Sequence, residues 1–335
     1  MTATIATPIK TETPPCRVCL SSTPRTRGEI WMNGELLGRM VQCQTCGLRF
    51  LSPRPTQAQR DLLYAQEYNA ELPGAHSETR FASVQRDQDR ALARFRYYLD
   101  QLNSDRAARR HGRPRLLDVG AGTGQLLELA RGRGWDVSAV ERSEDACRYL
   151  RERFGADSVV GRDLTDLRNE AARYDAVVMA HVIEHLPDPL AALRIVRRLL
   201  VPGGRLLVAT PNEVSLYERL WLARQRWRGQ GAANPYVAIA WRRGRWHRTP
   251  TQQDAHGLIE FQILTTEHLY FFTRTTLGRL LDRAGFSRIR WASGTLAPAN
   301  SRLGRLLRND PINRLLLPLG LQAELVALAD TEVSG

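Results

Sequence analysis

Arg115-Leu116-Leu117-Asp118-Val119-Gly120-Ala121-Gly122-Thr123-Gly124-Gln125-Leu126-Leu127-Glu128-Leu129-Ala130 is the stretch on which the reading of this chain turns. A short apolar run, Arg115 to Val119, enters a turn with glycine at every second position and leaves it as an amphipathic helix. Glycine takes positive φ at little cost and lets a ligand approach the backbone closely. The first turn of the following helix offers free N–H groups. Seventeen residues beyond Gly124, Glu141 ends a second apolar run, Val137 to Val140. An acid in that place can accept hydrogen bonds from ribose hydroxyls. With glycines at 120, 122 and 124 and glutamine at 125, the turn departs from the dinucleotide fingerprint.

Strands and helices keep alternating downstream. Glu144 to Phe154 reads as helix, Gly161-Arg162-Asp163-Leu164 follows a third strand, and Tyr174 to Ala180 is a fourth. Pro202-Gly203-Gly204 turns into a fifth strand, Arg205 to Thr210. Thr273 can cap a helix that keeps Leu277, Leu280, Leu281 and Ala284 on one face and stops at Gly285. Phe286 to Ser293 and Ala323 to Ala329 are expected as the last two strands. The pattern predicts an α/β fold, a parallel sheet covered by helices, with its ligand at the carboxyl ends of the strands.

The series Asp118, Gly120, Gly122, Gly124 resembles motif I of the class I S-adenosylmethionine (SAM) methyltransferases, in which an acid precedes a G-x-G-x-G turn. The resemblance covers residues 114 to 330. It implies a Rossmann-like, seven-stranded methyltransferase sheet with SAM as cofactor. The cofactor-binding residues it implies are Asp118, Gly120, Gly122, Gly124, Glu141, Asp163 and Leu164, with the acid at 163 facing the adenine amino group.

His181-Val182-Ile183-Glu184-His185 matches H-x-x-E-H, an inverted zinc-protease signature that needs both histidines on one helical face. Pro187 would break such a helix, and Leu186 before it is pushed to extended geometry. Asp188-Pro189 reads as an N-cap and first helical residue, so 181–187 is expected as a loop after the fourth strand. Many SAM methyltransferases carry a similar E-H-L-P segment beside the transferred methyl. Histidine titrates near neutrality and suits a general base for a hydroxyl acceptor. His185 is the first choice for that base and His181 the second. Glu184 with His185 could also hold a divalent ion at the active site, a reading kept by the resemblance to the ubiquinone-pathway O-methyltransferases. Each histidine has a plainer reading as pocket wall.

Cys16-x-x-Cys19 and Cys43-x-x-Cys46 lie 23 residues apart, and in a chain without secretory signals such pairs read as a thiolate site for zinc. Four sulfurs leave no open position, so the metal, Zn2+ at Cys16, Cys19, Cys43 and Cys46, is expected to be structural. Asn33-Gly34 between Ile30-Trp31-Met32 and Glu35-Leu36-Leu37 signals a hairpin, giving a small N-terminal zinc ribbon. Cys147 lies in a helical stretch and reads as a buried small residue.

The 335 residues are 43% hydrophobic and 25% charged, which excludes a disordered, collagenous or membrane-spanning chain. No apolar run approaches the ~20 residues a bilayer needs. Met1 to Pro15 lacks a basic-then-apolar signal pattern, so a cytoplasmic protein is expected. The net charge is +13, carried by 47 arginines and Lys10 alone, and it favours anionic partners. Domains are expected as a flexible N-terminus over 1–15, the ribbon over 16–52, a helical linker or cap over 53–113 with helices at 56–70 and 78–110, and the methyltransferase domain over 114–335. Within that domain a substrate cap spans about 213–265. There Trp221, Trp227, Trp241 and Trp246 interleave with eight arginines. Stacking rings and guanidinium groups suit a sugar phosphate, nucleotide sugar, glycolipid, nucleic acid or peripheral membrane surface. His268-Leu269-Tyr270-Phe271-Phe272-Thr273 is expected at the border of the same pocket, like an H-x-x-F-[ST] segment of related enzymes.

A methyltransferase with a four-cysteine module is similar both to bacterial enzymes of polysaccharide and natural-product pathways and to ribosomal RNA methyltransferases with a zinc ribbon. The chain has Ala180-His181-Val182-Ile183-Glu184-His185 where a base N-methyltransferase has an Asn-Pro-Pro-Tyr type segment. The resemblance therefore favours methyl transfer to a small-molecule or glycan hydroxyl, such as a sugar or phenol, which could be phosphorylated. An rRNA or tRNA base methyltransferase is the alternative, and a non-catalytic zinc-ribbon binding protein the second alternative.

Overall fold

The computed structural model describes residues 10–32, 35–60, 88–103, 112–216, 220, 239–242, 245–248, 268–294 and 314–332. Most of the expected cap over 213–265, the greater part of the 56–70 helix, both ends of the 78–110 helix and residues 1–9 lie outside these.

A seven-stranded sheet forms the centre. Its strands in chain order are β6 (Arg115–Val119), β7 (Asp136–Val140), β8 (Val159–Gly161), β9 (Tyr174–Ala180), β10 (Leu200–Pro211), β14 (Ser287–Ala292) and β15 (Glu324–Asp330). Their order across the sheet is β14-β15-β10-β9-β6-β7-β8. Strands β8, β7, β6, β9 and β10 pair in parallel. β15 pairs antiparallel with both its neighbours, so it alone runs against the rest of an otherwise parallel sheet. β14 and β15 follow one another in the chain and are neighbours in the sheet, and an antiparallel pair needs no crossover connection. The fifth strand also begins earlier than expected, at Leu200, with an irregularity between Leu200 and Arg205 that absorbs Pro202-Gly203-Gly204.

Alternation of side chains divides the sheet between two cores. Leu117, Val119, Val177, Met179, Leu206 and Val208 face one side, and Leu116, Ala176, Val178, Leu207 and Ala209 face the other. The second side is covered by α1 (Gln88–Asn103), through Tyr98, Leu99 and Leu102, and by α2 (Gln125–Gly132), through Leu126, Leu127 and Ala130. Next in sequence, α3 (Glu144–Phe154) is capped by Ser143. The first side is covered by α4 (Pro189–Leu199) and α5 (Arg274–Ala284). As the sequence implies, Asp188 caps α4 with proline in its first turn, Thr273 caps α5, and Gly285 stops it at φ +87°.

The cysteine-bearing segment packs into that first core. β2 (Pro24–Met32) and β3 (Glu35–Cys43) form the expected hairpin, with Asn33 and Gly34 outside the described residues. β3 pairs with β4 (Arg49–Leu51), and β4 pairs with β13 (Tyr270–Phe271), a strand supplied from the far end of the chain. Part of the stretch expected as a flexible N-terminus is paired: β1 (Thr11–Glu12) lies against β5 (Arg54–Pro55). Within the expected cap, β11 (Ile239–Arg242) and β12 (Arg245–Arg248) form a further hairpin. Among the described residues no helix is long and apolar enough to cross a membrane.

Candidate active site and four-cysteine centre

The glycine turn leaves β6 with Gly120, Gly122 and Gly124 all at positive φ: +76°, +53° and +73°. Each glycine answers a different need. A Cβ at Gly120 would lie 2.5 Å from Val182 Cγ2, and one at Gly124 would lie 2.6 Å from Leu150 and 2.8 Å from Phe154. Gly122 is different, because a Cβ there meets nothing within 4 Å. The turn is closed by Glu141, whose Oε2 accepts from the Gly122 N–H at 2.8 Å and whose Oε1 accepts from the Ser143 N–H at 2.8 Å. Asp118 is buried at the end of β6, and burial, then repulsion from Glu141, raises its carboxyl to about 7. Asp163 stands at the surface beyond β8 and caps a short turn, Leu164–Leu167, by accepting from Thr165; Leu164 itself is buried. Cys147 donates to the Glu141 carbonyl at 3.0 Å, and burial pushes its thiol up. The seven residues expected to hold SAM lie at or just beyond the carboxyl ends of β6, β7 and β8 in the chain. Open space over Gly122 beside two acids fits a cofactor that carries ribose hydroxyls and positive charge.

Beyond β9 the H-x-x-E-H stretch is a loop, as Pro187 requires, with one tight turn over Ile183–His185 and Leu186 extended. His181 holds a left-handed backbone at φ +57°, unusual for a residue with a Cβ. Its ring bridges two carboxylates: Nε2 is 2.8 Å from Glu324 Oε1, and Nδ1 is 3.5 Å from Glu184 Oε1. Burial opposes charge on this ring, but the two acids outweigh it and raise His181 to about 9. Glu184 is 1% exposed; burial would raise it, yet the surrounding histidines hold it at about 2. Its Oε2 accepts from Thr210 at 3.0 Å, while its Oε1 lies 3.9 Å from His185 Nε2. The rings of His185 and His268 meet edge to face at 4.6 Å, and burial, then the nearby His185, lowers His268 to about 4.

A small cleft adjoins them, lined by Glu184, Thr210, Pro211, Glu213, His268, Tyr270 and Phe271. Ligand atoms of Glu184, His185 and His268 lie within 4.8 Å of one another, so the pair foreseen for a divalent ion gains a third member. Sequence reasoning missed Glu324, which also accepts from Tyr98 at 2.7 Å, and Glu213, which pairs with Arg49 at 2.6 Å. Only their burial, at 0% and 9% exposure, distinguishes them, and no motif carries that signal.

The four cysteines converge as their spacing implies. Cys16 and Cys46 sulfurs are 3.4 Å apart, as are Cys19 and Cys43, and all four lie within 4.8 Å. None forms a disulfide. A tetrahedron of ~2.3 Å zinc–sulfur bonds has edges of about 3.8 Å, so this arrangement fits the metal. The contact with Cys46 lowers Cys16, and the same contact, with burial, raises Cys46.

The methyltransferase-domain family model matches residues 84–290. Among curated proteins, a ubiquinone biosynthesis O-methyltransferase of Xanthomonas oryzae pv. oryzae is 38% identical over 104 residues, 29% of this chain and 43% of that protein. One from Xanthomonas campestris pv. campestris is 35% identical over 121 residues, 34% of this chain and 51% of that protein. The chain thus spans about half the length, or less, of the curated relatives it matches. Among solved structures, a SAM-dependent methyltransferase from Archaeoglobus fulgidus aligns with a TM-score of 0.43 at 19% identity, over 80% of this chain and 100% of that one. The chain belongs to the methyltransferase-domain family, and its seven-stranded α/β sheet is of the Rossmann-like kind that this membership implies.

Proposed function

We propose that this protein is a SAM-dependent O-methyltransferase acting on a small-molecule or glycan hydroxyl. SAM, when bound, supplies an electrophilic methyl group. The residues expected to hold it are Asp118, the 120–124 turn, Glu141, Asp163 and Leu164. The observation that carries the hydroxyl reading is the buried Glu184 carboxylate 3.9 Å from His185 Nε2, beside the cleft. A hydroxyl must lose its proton as it attacks, and an imidazole backed by a carboxylate can take it. His185 is the base in this reading. His181 is its positioning partner, since both its ring nitrogens face carboxylates. The relatives named O-methyltransferases support the same acceptor chemistry.

A second reading has its own observation. Glu184, His185 and His268 offer three convergent ligand atoms, a set suited to a divalent ion that would hold the acceptor oxygen. The cysteine quartet is assigned to structural zinc. Domain limits are proposed at about residues 16–52 for the ribbon and 114–335 for the methyltransferase unit.

The test is methyl transfer from SAM to sugar nucleotides, phenols and ribosomal RNA, followed by mass spectrometry. Product from a sugar or phenol supports the reading, and chelator sensitivity separates the metal from the simple base. Methylated RNA, formed through a tight complex that weakens steeply with salt, would overturn it.

A further inference from the structure

The four-cysteine ribbon and the cleft are joined by continuous backbone pairing. Four residues after Cys46, Phe50 of β4 pairs with Tyr270, and Arg49 pairs with Phe271. Leu269, which directly follows His268, is held on both sides: its carbonyl accepts from Leu51 of the ribbon at 3.0 Å, and its N–H donates to the Glu184 carbonyl at 2.8 Å. Arg54 adds a second tie. It is 1% exposed and donates to Tyr270 Oη at 3.1 Å and to the Pro187 carbonyl at 3.0 Å, while its Nε pairs with Glu12 at 2.7 Å. A third tie runs from Arg49 to Glu213 in the cleft.

The ribbon is anchored from behind as well. Arg279 and Arg283 of α5 donate to the carbonyls of Cys46 and Val18, at 3.3 and 2.5 Å. Beyond α5, the ties described above reach 184, 187, 213 and 269–271, and none of these ties touches the glycine turn or Glu141.

We propose that the four-cysteine ribbon is a wall of the acceptor site, holding Glu184, His185 and His268 in place and leaving the SAM side of the sheet to stand alone. This rests on reading the cleft as the acceptor site, and it assigns Arg54 as a positioning residue acting through Tyr270 and Pro187. A strand hydrogen-bonded on both edges is fixed in register, so loosening β4 frees β13 and the loop pinned to it. The ribbon then governs acceptor binding and turnover, whereas an independent module would govern neither.

The experiment needs no acceptor. Full-length protein is compared by hydrogen exchange with the protein after chelation and with the Cys43→Ser, Cys46→Ser double variant, each titrated with SAM by calorimetry. Amides of 183–188 and 268–272 are expected to exchange at least tenfold faster in both, with SAM affinity within about threefold of wild type. Arg54→Met leaves the thiols untouched and is expected to keep its metal while loosening 183–188 to a smaller extent. Faster exchange confined to residues 16–51 would overturn the proposal, and so would loss of SAM binding together with the metal. Neither result depends on whether the cleft methylates a hydroxyl.

Discussion

On the β6–β7 side of the sheet, the contacts that shape the glycine turn join residues close in sequence. Gly122 and Glu141 are 19 residues apart, and Glu141 and Ser143 are two apart. On the β9–β15 side the corresponding contacts cross most of the chain. Arg49 and Glu213 are 164 residues apart, Arg54 and Tyr270 are 216, and Tyr98 and Glu324 are 226. The first side uses backbone shape and one half-exposed acid to present a standing site. The second uses buried charge: Glu184 and Glu324, both almost fully buried, share one imidazole. Buried carboxylates are costly unless paired, so His181 and its neighbours are constrained from several elements at once. A local site tolerates change elsewhere in the chain, and a long-range site does not.

The largest expected effect tests whether chemistry sits on the second side. His185→Ala should lower turnover by ~10²–10⁴-fold, the range of general-base help, with SAM affinity unchanged by calorimetry. Near wild-type turnover with the true acceptor would reduce His185 to pocket wall and shift attention to His268. Next comes the glycine turn. Gly122→Val should weaken SAM binding by about 100-fold while costing about 1–2 kcal/mol of stability for a side chain at positive φ. The Cβ position is open in the protein, so most of the loss would report the cofactor. An unchanged dissociation constant would move the cofactor elsewhere.

Glu141→Ala is expected to cost roughly 10-fold in SAM affinity, the weight of a hydrogen bond to a charged group, with part of any further loss due to a slackened 120–124 turn. The smallest effect concerns pH. His181 is raised from 6.5 to about 9 in the folded chain, so its contribution to stability is complete below pH 6.5 and is lost as pH rises through about 9. The melting temperature should fall by several degrees between pH 7 and 9.5, and His181→Asn should flatten that slope. A slope unchanged in the variant would mean that another group titrates.

The glycine turn, the order of strands through β10, the cap at Thr273 and the stop at Gly285 were all legible, because each follows from a few neighbouring residues. The proline argument at 187 correctly turned a protease-like motif into a loop for the same reason. The cysteine pairs declared their convergence by spacing alone. The direction of β15 was not legible, since an apolar run is the same read either way along the sheet. Nor were the partners of the histidines.

What the amino-acid sequence determined by itself is the class of fold, the glycine turn and the four-thiol cluster, all of which depend on short-range stereochemistry. Tertiary structure alone decided that His181 is clamped between Glu184 and Glu324, that His268 meets His185, and that the ribbon takes its fourth strand from Tyr270–Phe271. Those facts depend on which distant groups are buried together. Burial sets both the cost of a charge and the need for its partner, and it exists only once the chain has closed upon itself.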